Sequence, residues 1–262
     1  MRNIAVQLEY DGTDLVGSQL QNNGRTVQGE LEAAWLKLTG EQIRWTFAGR
    51  TDAGVHAWGQ VANARTDTRH DLATIQRALN ALLPSDVAVR KAWGVPYDFH
   101  SRFSAIRRAY RYMLLIEPYR SPMWQRRAWH IREALDVTTV TEALHVLIGE
   151  HDFAAFGSTP DGVTIRECFA AECHRVEQDG MRFLAIDLEA NGFLRHMVRA
   201  IVGTVVLIGQ GRYAVEGMER ILESRDRAQA GPTAPPHGLY LMSVTYPVEG
   251  RRPAGVESAL ES

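Results

Sequence analysis

Ala48-Gly49-Arg50-Thr51-Asp52-Ala53-Gly54-Val55-His56-Ala57 lies between two strand-like runs, Ile43 to Ala48 and Gln60 to Ala64. Gly49 and Gly54 bracket Arg50, Thr51 and Asp52. Glycine allows close backbone approach and positive φ, so a loop of this kind can project a side chain out of a sheet. A carboxylate with a cation beside it favours the charged form and can act as a base or a nucleophile. Local chemistry alone leaves two readings open: a carboxylate presented to a cleft, or a structural turn closed by an internal Arg–Asp pair.

Outward from this loop, the N-terminal half alternates strand and helix patterns. Ile4, Val6, Leu8 and Tyr10 recur with period two, predicting a strand that ends at Asp11-Gly12-Thr13. Thr26 is placed to cap a helix carrying Val27, Leu31, Ala34, Trp35 and Leu38, stopped by Gly40. Asp71 opens a second helix through Ile75, Leu79, Leu82 and Leu83, closed by Pro84, and Val87 to Trp93 reads as a strand.

The C-terminal half repeats this order loosely. Arg107 to Ile116 predicts a long strand, and Asp136 precedes a helix with Val140, Ala143, Leu144 and Leu147. Cys168 to Val176 and Arg182 to Leu188 form a strand pair turning near Asp179-Gly180. Phe193 to Ile208 is the strongest helical pattern; Ala214 to Glu223 is a shorter one, and Tyr240 to Tyr246 a last strand. The class is therefore α+β with mainly antiparallel sheets. The expected division is residues 1–105 and residues 106–247, with 248–262 a polar, frayed tail.

Composition narrows the function. No apolar run approaches the ~20 residues a spanning helix needs. With a strand pattern within three residues of Met1, no signal peptide is expected. Cys168 and Cys173 form neither a zinc knuckle nor a disulfide framework, so a reducing cytoplasm is expected. The formal net charge is −2, but its distribution is uneven. Residues 100–132 hold eight arginines against the single acid Glu117, whereas residues 133–190 hold twelve acids against three arginines. The basic stretch also contains Phe103, Tyr110, Tyr112, Tyr119, Trp124 and Trp129. Such interleaving suits RNA, with arginines on phosphates and aromatics on unpaired bases; it also suits a solvated strand surface over a core. The sequence contains no P-loop, dinucleotide fingerprint or metal-ligand motif, so any enzymatic chemistry is expected to need no cofactor or metal.

The sequence Gly49-Arg50-Thr51-Asp52-Ala53-Gly54-Val55-His56, followed by Gly59-Gln60-Val61, resembles the signature of the TruA family of tRNA pseudouridine synthases. The same family order continues through Tyr10-Asp11-Gly12-Thr13, Phe99-His100-Ser101-Arg102-Phe103-Ser104-Ala105, Tyr110-Arg111-Tyr112 and Gly192-Phe193 with Met197-Val198-Arg199. The resemblance implies two similar α/β sandwich-like subdomains with a catalytic cleft between them. It implies a cofactor-free isomerase, active as a cytoplasmic homodimer, that converts uridine to pseudouridine at positions 38, 39 and 40 of the tRNA anticodon stem-loop after flipping the base.

The resemblance also assigns roles. Asp52 is the essential carboxylate, Arg199 pairs with it, Tyr110 stacks on the target uridine, and Arg50 holds a phosphate or displaces a base. Two departures from the family pattern are Ser18, where a tryptophan is usual, and Ala109, where a second basic residue can stand. Two other classes compete. A non-catalytic RNA-binding module would bind without chemistry. A hydrolase of N-glycosidic bonds would need a second carboxylate, with Asp67, Asp71 and Asp152 as candidates.

Overall fold

The computed structural model describes residues 1–157 and 162–247. The expected tail, residues 248–262, lies outside the described residues.

Strand β1 (Arg2–Tyr10) and helix α1 (Val27–Thr39) form as their patterns require. Thr26 Oγ1 accepts from the Gly29 amide at 3.1 Å, and Gly40 ends the helix at φ 74°. Then come β2 (Thr46–Phe47), β3 (His56–Thr66), α2 (Leu72–Leu82, capped by Asp71) and β4 (Val87–Val95). The second half contains β5 (Arg107–Ile116), β6 (Trp129–Ile131), α3 (Val137–His145), β7 (Gly149–Asp152), β8 (Ile165–Gln178) and β9 (Met181–Ala190). Helices α4 (Met197–Gly209) and α5 (Gly217–Ser224) and strand β10 (Leu239–Thr245) complete it.

The ten strands of the described residues belong to one sheet, ordered β4-β1-β3-β10-β5-β9-β8-β7, with β2 paired to β3 and β6 to β5. The two halves thus share a continuous sheet. The last strand, β10, joins them: it runs parallel to β3 at Tyr240↔His56 and Leu241↔Ala57, and antiparallel to β5. Apart from β10–β3 and β5–β6, the described pairings are antiparallel.

One apolar core runs the length of the face that the helices cover. It contains Ile4, Val6, Leu8 and Tyr10 of β1, Tyr110 and Tyr112 of β5, and Ile186 and Leu188 of β9. A smaller cluster of Ala5, Ala48 and Val61 lies on the opposite face, under Trp93, Val95 and Phe99.

Several elements differ from expectation for local reasons. The run from Ile43 keeps ladder pairing only at Thr46 and Phe47. Ahead of it, the Trp45 amide donates to Glu32 at 3.2 Å and its ring packs edge-on against Trp35, so a side-chain anchor replaces the ladder. Strand β3 begins at His56 because β10 pairs with its first residues. Strands β6 and β7 are too short for alternation to be read. Helix α4 starts four residues after Phe193, because His196 has a left-handed backbone, φ 63°.

Candidate active site

Asp52 lies in the loop between β2 and β3, and that loop is fixed at several points. The Ser18 hydroxyl accepts from the Thr51 amide at 2.9 Å, while the Ser18 amide donates to the Thr51 carbonyl at 3.1 Å. Thr51 Oγ1 and the Tyr10 hydroxyl share a hydrogen bond of 2.8 Å. Burial pushes the Tyr10 phenol up to about 12 against the opposing pull of these hydrogen bonds, so it stays protonated. The Gln60 side chain donates to the Gly49 carbonyl at 2.8 Å.

Gly12 is backed directly onto the end of the loop: a Cβ there would lie 2.0 Å from the Val55 carbonyl oxygen. The Gly12 amide donates to His56 Nδ1 at 3.1 Å. His56 Nε2 faces the carbonyls of Arg126 and His237 at 3.0 and 3.2 Å. This pattern requires a neutral imidazole protonated on Nε2, in keeping with burial holding its pKa below the usual histidine value. The 3.1 Å approach of Asp11 to Nδ1 is then not an ion pair; Asp11 Oδ1 accepts instead from the Thr13 amide and hydroxyl.

The guanidinium on Asp52 comes from helix α4. Arg199 Nη1 donates to Asp52 Oδ2 at 2.9 Å, joining residues 147 positions apart. Arg199 Nε donates to the Ala234 carbonyl at 2.7 Å, and the Ala234 amide donates back to the Arg199 carbonyl at 3.0 Å. The segment 230–234 is thereby strapped along α4. Its other ties are the Gly231 amide to Thr204 Oγ1 at 2.8 Å, and Arg227 to Gly231 and Thr233 at 3.0 and 2.9 Å. This covering explains why nearly every residue of α4 is buried and why the Arg199 side chain is only 14% exposed, although its position off the apolar stripe did not require it.

The Asp52 side chain is 30% exposed. His196 Nε2 lies 3.4 Å from the same oxygen, Oδ2. No hydrogen bond from the described residues reaches Oδ1. Tyr110 forms a neighbouring wall: its ring meets Phe193 edge-on at 5.0 Å between centroids. Its hydroxyl would be 3.8 Å from a Cβ at Gly49. Only 8% of the residue is exposed, so its ring is not a free platform for a base in this conformation. Burial, then the nearby Tyr10 and Asp52, raise its phenol pKa above the usual range.

Arg50 is exposed and, among the described residues, forms no ion pair. An internal Arg50–Asp52 pair is therefore not what closes the loop; Arg199 takes that place. Sequence reasoning named Asp52, Tyr110 and Arg199, and the structure brings these three together. It missed His196, whose only signal was its place three residues before Arg199. It also missed the part played by Ser18, visible only as a departure from the family pattern. Ser18→Ala would leave the buried Thr51 amide without its acceptor. The expected cost is about 1–3 kcal/mol, measured as a lower midpoint in urea unfolding.

The basic stretch is less available than its composition suggested. Arg107 pairs with Glu189 and Arg111 with Asp187, both near 2.7 Å or closer. Arg126 and Arg127 reach Asp14 and Asp11 at 3.5 and 3.7 Å. Arg108 is turned inward onto the carbonyls of Ala48, Ala105 and Asn191. Tyr110 and Tyr112 belong to the core, whereas Phe103 and Tyr119 are exposed.

The candidate second carboxylates are engaged elsewhere. Asp67 pairs with the N-terminal amine at 2.8 Å, Asp71 caps α2, and Asp152 meets Arg225 at 3.2 Å. Among the described residues no helix is long and apolar enough to cross a membrane.

Comparison with known proteins gives the family. The sequence model of the family described as tRNA pseudouridine synthase matches residues 6–104 and 143–247, which hold Asp52, His196 and Arg199. A tRNA pseudouridine synthase A of Roseiflexus sp. (strain RS-1) is 53% identical over 251 residues, covering 95% of this chain and 93% of its own length. Proteins of the same name from Chloroflexus aurantiacus (strain ATCC 29366 / DSM 635 / J-10-fl) and Geobacter sp. (strain M21) are 51% and 45% identical. Each covers 94% of this chain, and the matches span 90% and 100% of their own lengths.

Proposed function

The chain belongs to the tRNA pseudouridine synthase family and is an isomerase that converts uridine to pseudouridine in tRNA; we propose that it acts at positions 38, 39 and 40 of the anticodon stem-loop, with Asp52 as the essential carboxylate. The observation that carries the site assignment is the 2.9 Å pair between Arg199 Nη1 and Asp52 Oδ2, in a side chain that stays 30% exposed.

The reaction needs no external oxidant or reductant. The bond from ribose C1′ to uracil N1 breaks, the base turns within the site, and C1′ joins C5. The proton on C5 is lost and N1 gains one, so atoms and electrons balance. The chain must supply a carboxylate at the reacting nucleoside, a surface against which the extruded base rests, and exclusion of water. On this reading Asp52 supplies the first and Tyr110 the second. Extrusion costs a few kcal/mol, offset by stacking of ~1–3 kcal/mol per base and by phosphate contacts. On the same reading Arg50, exposed on the loop, makes such a contact. Residues 1–105 carry the Asp loop, and residues 106–247 carry Tyr110 and Arg199.

The same reading makes the enzyme a cytoplasmic homodimer without a cofactor, with tRNA lying across both subunits. An RNA-binding module without chemistry would have no need of a carboxylate so held.

The test uses tRNA carrying tritium at uridine C5. Loss of the C5 proton predicts release of tritium to water, with carbodiimide-stopped primer extension marking positions 38 to 40. Tight binding without tritium release would favour a non-catalytic module. Free uracil would indicate hydrolysis of the glycosidic bond.

A further inference from the structure

Among the described residues, three other than glycine have positive φ: Asp179, His196 and Arg225. Two have ordinary local reasons. Asp179 precedes Gly180 in the β8–β9 turn, and Arg225 ends α5 in the left-handed conformation common at helix C-termini. His196 stands at the start of α4, where an extended backbone is normal and a side-chain cap would be expected. It has φ 63° and makes no capping hydrogen bond. Left-handed backbone outside glycine costs energy, and such residues gather at functional sites where surrounding packing holds them.

Packing does hold this one. Leu194 and Met197 on either side are buried. Leu194 is pressed onto Gly157, where a Cβ would come within 2.2 Å of its own Cβ. The consequence of the strain is the position of the imidazole, with Nε2 3.4 Å from Asp52 Oδ2, the oxygen that Arg199 also holds.

We propose that His196 is a positioning residue for Asp52: with Arg199 it grips Oδ2 from two sides, so that Oδ1 alone faces the nucleoside. The inference rests on the reading of Asp52 as the essential carboxylate. The 3.4 Å separation is longer than the Arg199 bond and is a contact rather than a formed hydrogen bond; the positioning role requires it to tighten when the nucleoside binds. A single hydrogen bond from Arg199 leaves the carboxylate free to swing about it; a second contact on the same oxygen removes that freedom.

The test compares three full-length variants by tritium release from tRNA. His196→Gly removes the imidazole and relieves the backbone, so its thermal midpoint should equal or exceed that of the parent. Its kcat should fall at least about tenfold, while KM for tRNA stays within about twofold. His196→Gln keeps an N–H at similar reach and should restore kcat to within about threefold of the parent. Should the glycine variant not fold, His196→Asn carries the same expected loss: asparagine tolerates the left-handed region, but its amide ends one atom short of Nε2.

A glycine or asparagine variant with parental kcat, a loss confined to KM, or a glutamine variant as slow as the glycine one would each overturn the proposal. Asp52→Asn, assayed alongside, separates the two claims. If it is active, the reading of Asp52 fails. If it is inert while His196→Gly is unaffected, only the role of His196 fails.

Discussion

Asp52→Asn is expected to abolish pseudouridine formation while leaving the fold and tRNA binding in place. Asparagine has the same shape as aspartate, and its side-chain oxygen can still accept from Arg199 Nη1, which now donates at 2.9 Å. The backbone anchors of the loop, at Ser18 and Gln60, do not involve the carboxylate. What is lost is the negative charge and the free lone pair on Oδ1. Removing a group on which the chemistry depends typically costs about 10⁴-fold or more in turnover. Affinity for tRNA should change by less than about threefold, or ~0.7 kcal/mol. Tritium release measures the first and filter binding the second.

Gly203→Ala is expected to be the most damaging small substitution away from the carboxylate. Gly203 lies in the middle of α4, and a Cβ there would sit 1.7 Å from the Pro232 carbonyl oxygen. Nothing on a flexible side chain can move aside; backbone must shift. Overpacking of this kind costs about 3 kcal/mol, far outweighing the helix propensity gained by replacing glycine with alanine, ~1 kcal/mol. The shift would also reach the site. Pro232 belongs to the strap whose Ala234 carbonyl holds Arg199 Nε at 2.7 Å. Displacing the strap loosens Arg199, and with it Asp52. Urea unfolding should show the lost stability, and kcat should fall in the fraction that remains folded. An alanine variant with parental stability and rate would mean that the strap plays no part in the site.

The features legible in the sequence were those set by neighbours along the chain. Alternation fixed the buried face of β1, and the capping residues Thr26, Asp71 and Asp136 stand where the helix starts were expected. The loop around Asp52 was legible because two glycines and a chemical signature fall within nine residues. What could not be read depends on distant partners. The acids that pair with Arg107, Arg111, Arg126 and Arg127 lie at positions 189, 187, 14 and 11, so counting charge over a short window missed them.

Arg199 is a similar case. Helical periodicity placed it off the apolar stripe, and its partners lie far along the chain, in the strap at Ala234 and at Asp52. The joining of both halves into one sheet turns on β10, whose pattern marks a strand but not its neighbours. The start of α4 was misplaced because apolar residues 193 and 194 continue the helical period across a residue, His196, that is not helical. That miss coincides with the strained histidine against Asp52, in line with local rules failing where a site imposes its own geometry.

The most direct test of the central claim is a structure of the Asp52→Asn protein bound to an anticodon stem-loop. The account predicts an extruded uridine resting against Tyr110, with its ribose C1′ about 3–3.5 Å from the side-chain atom in the place of Oδ1, and Arg199 and His196 on the other atom. A target uridine still stacked in the RNA helix, or one lodged away from residue 52 with Arg199 turned from it, would contradict the account.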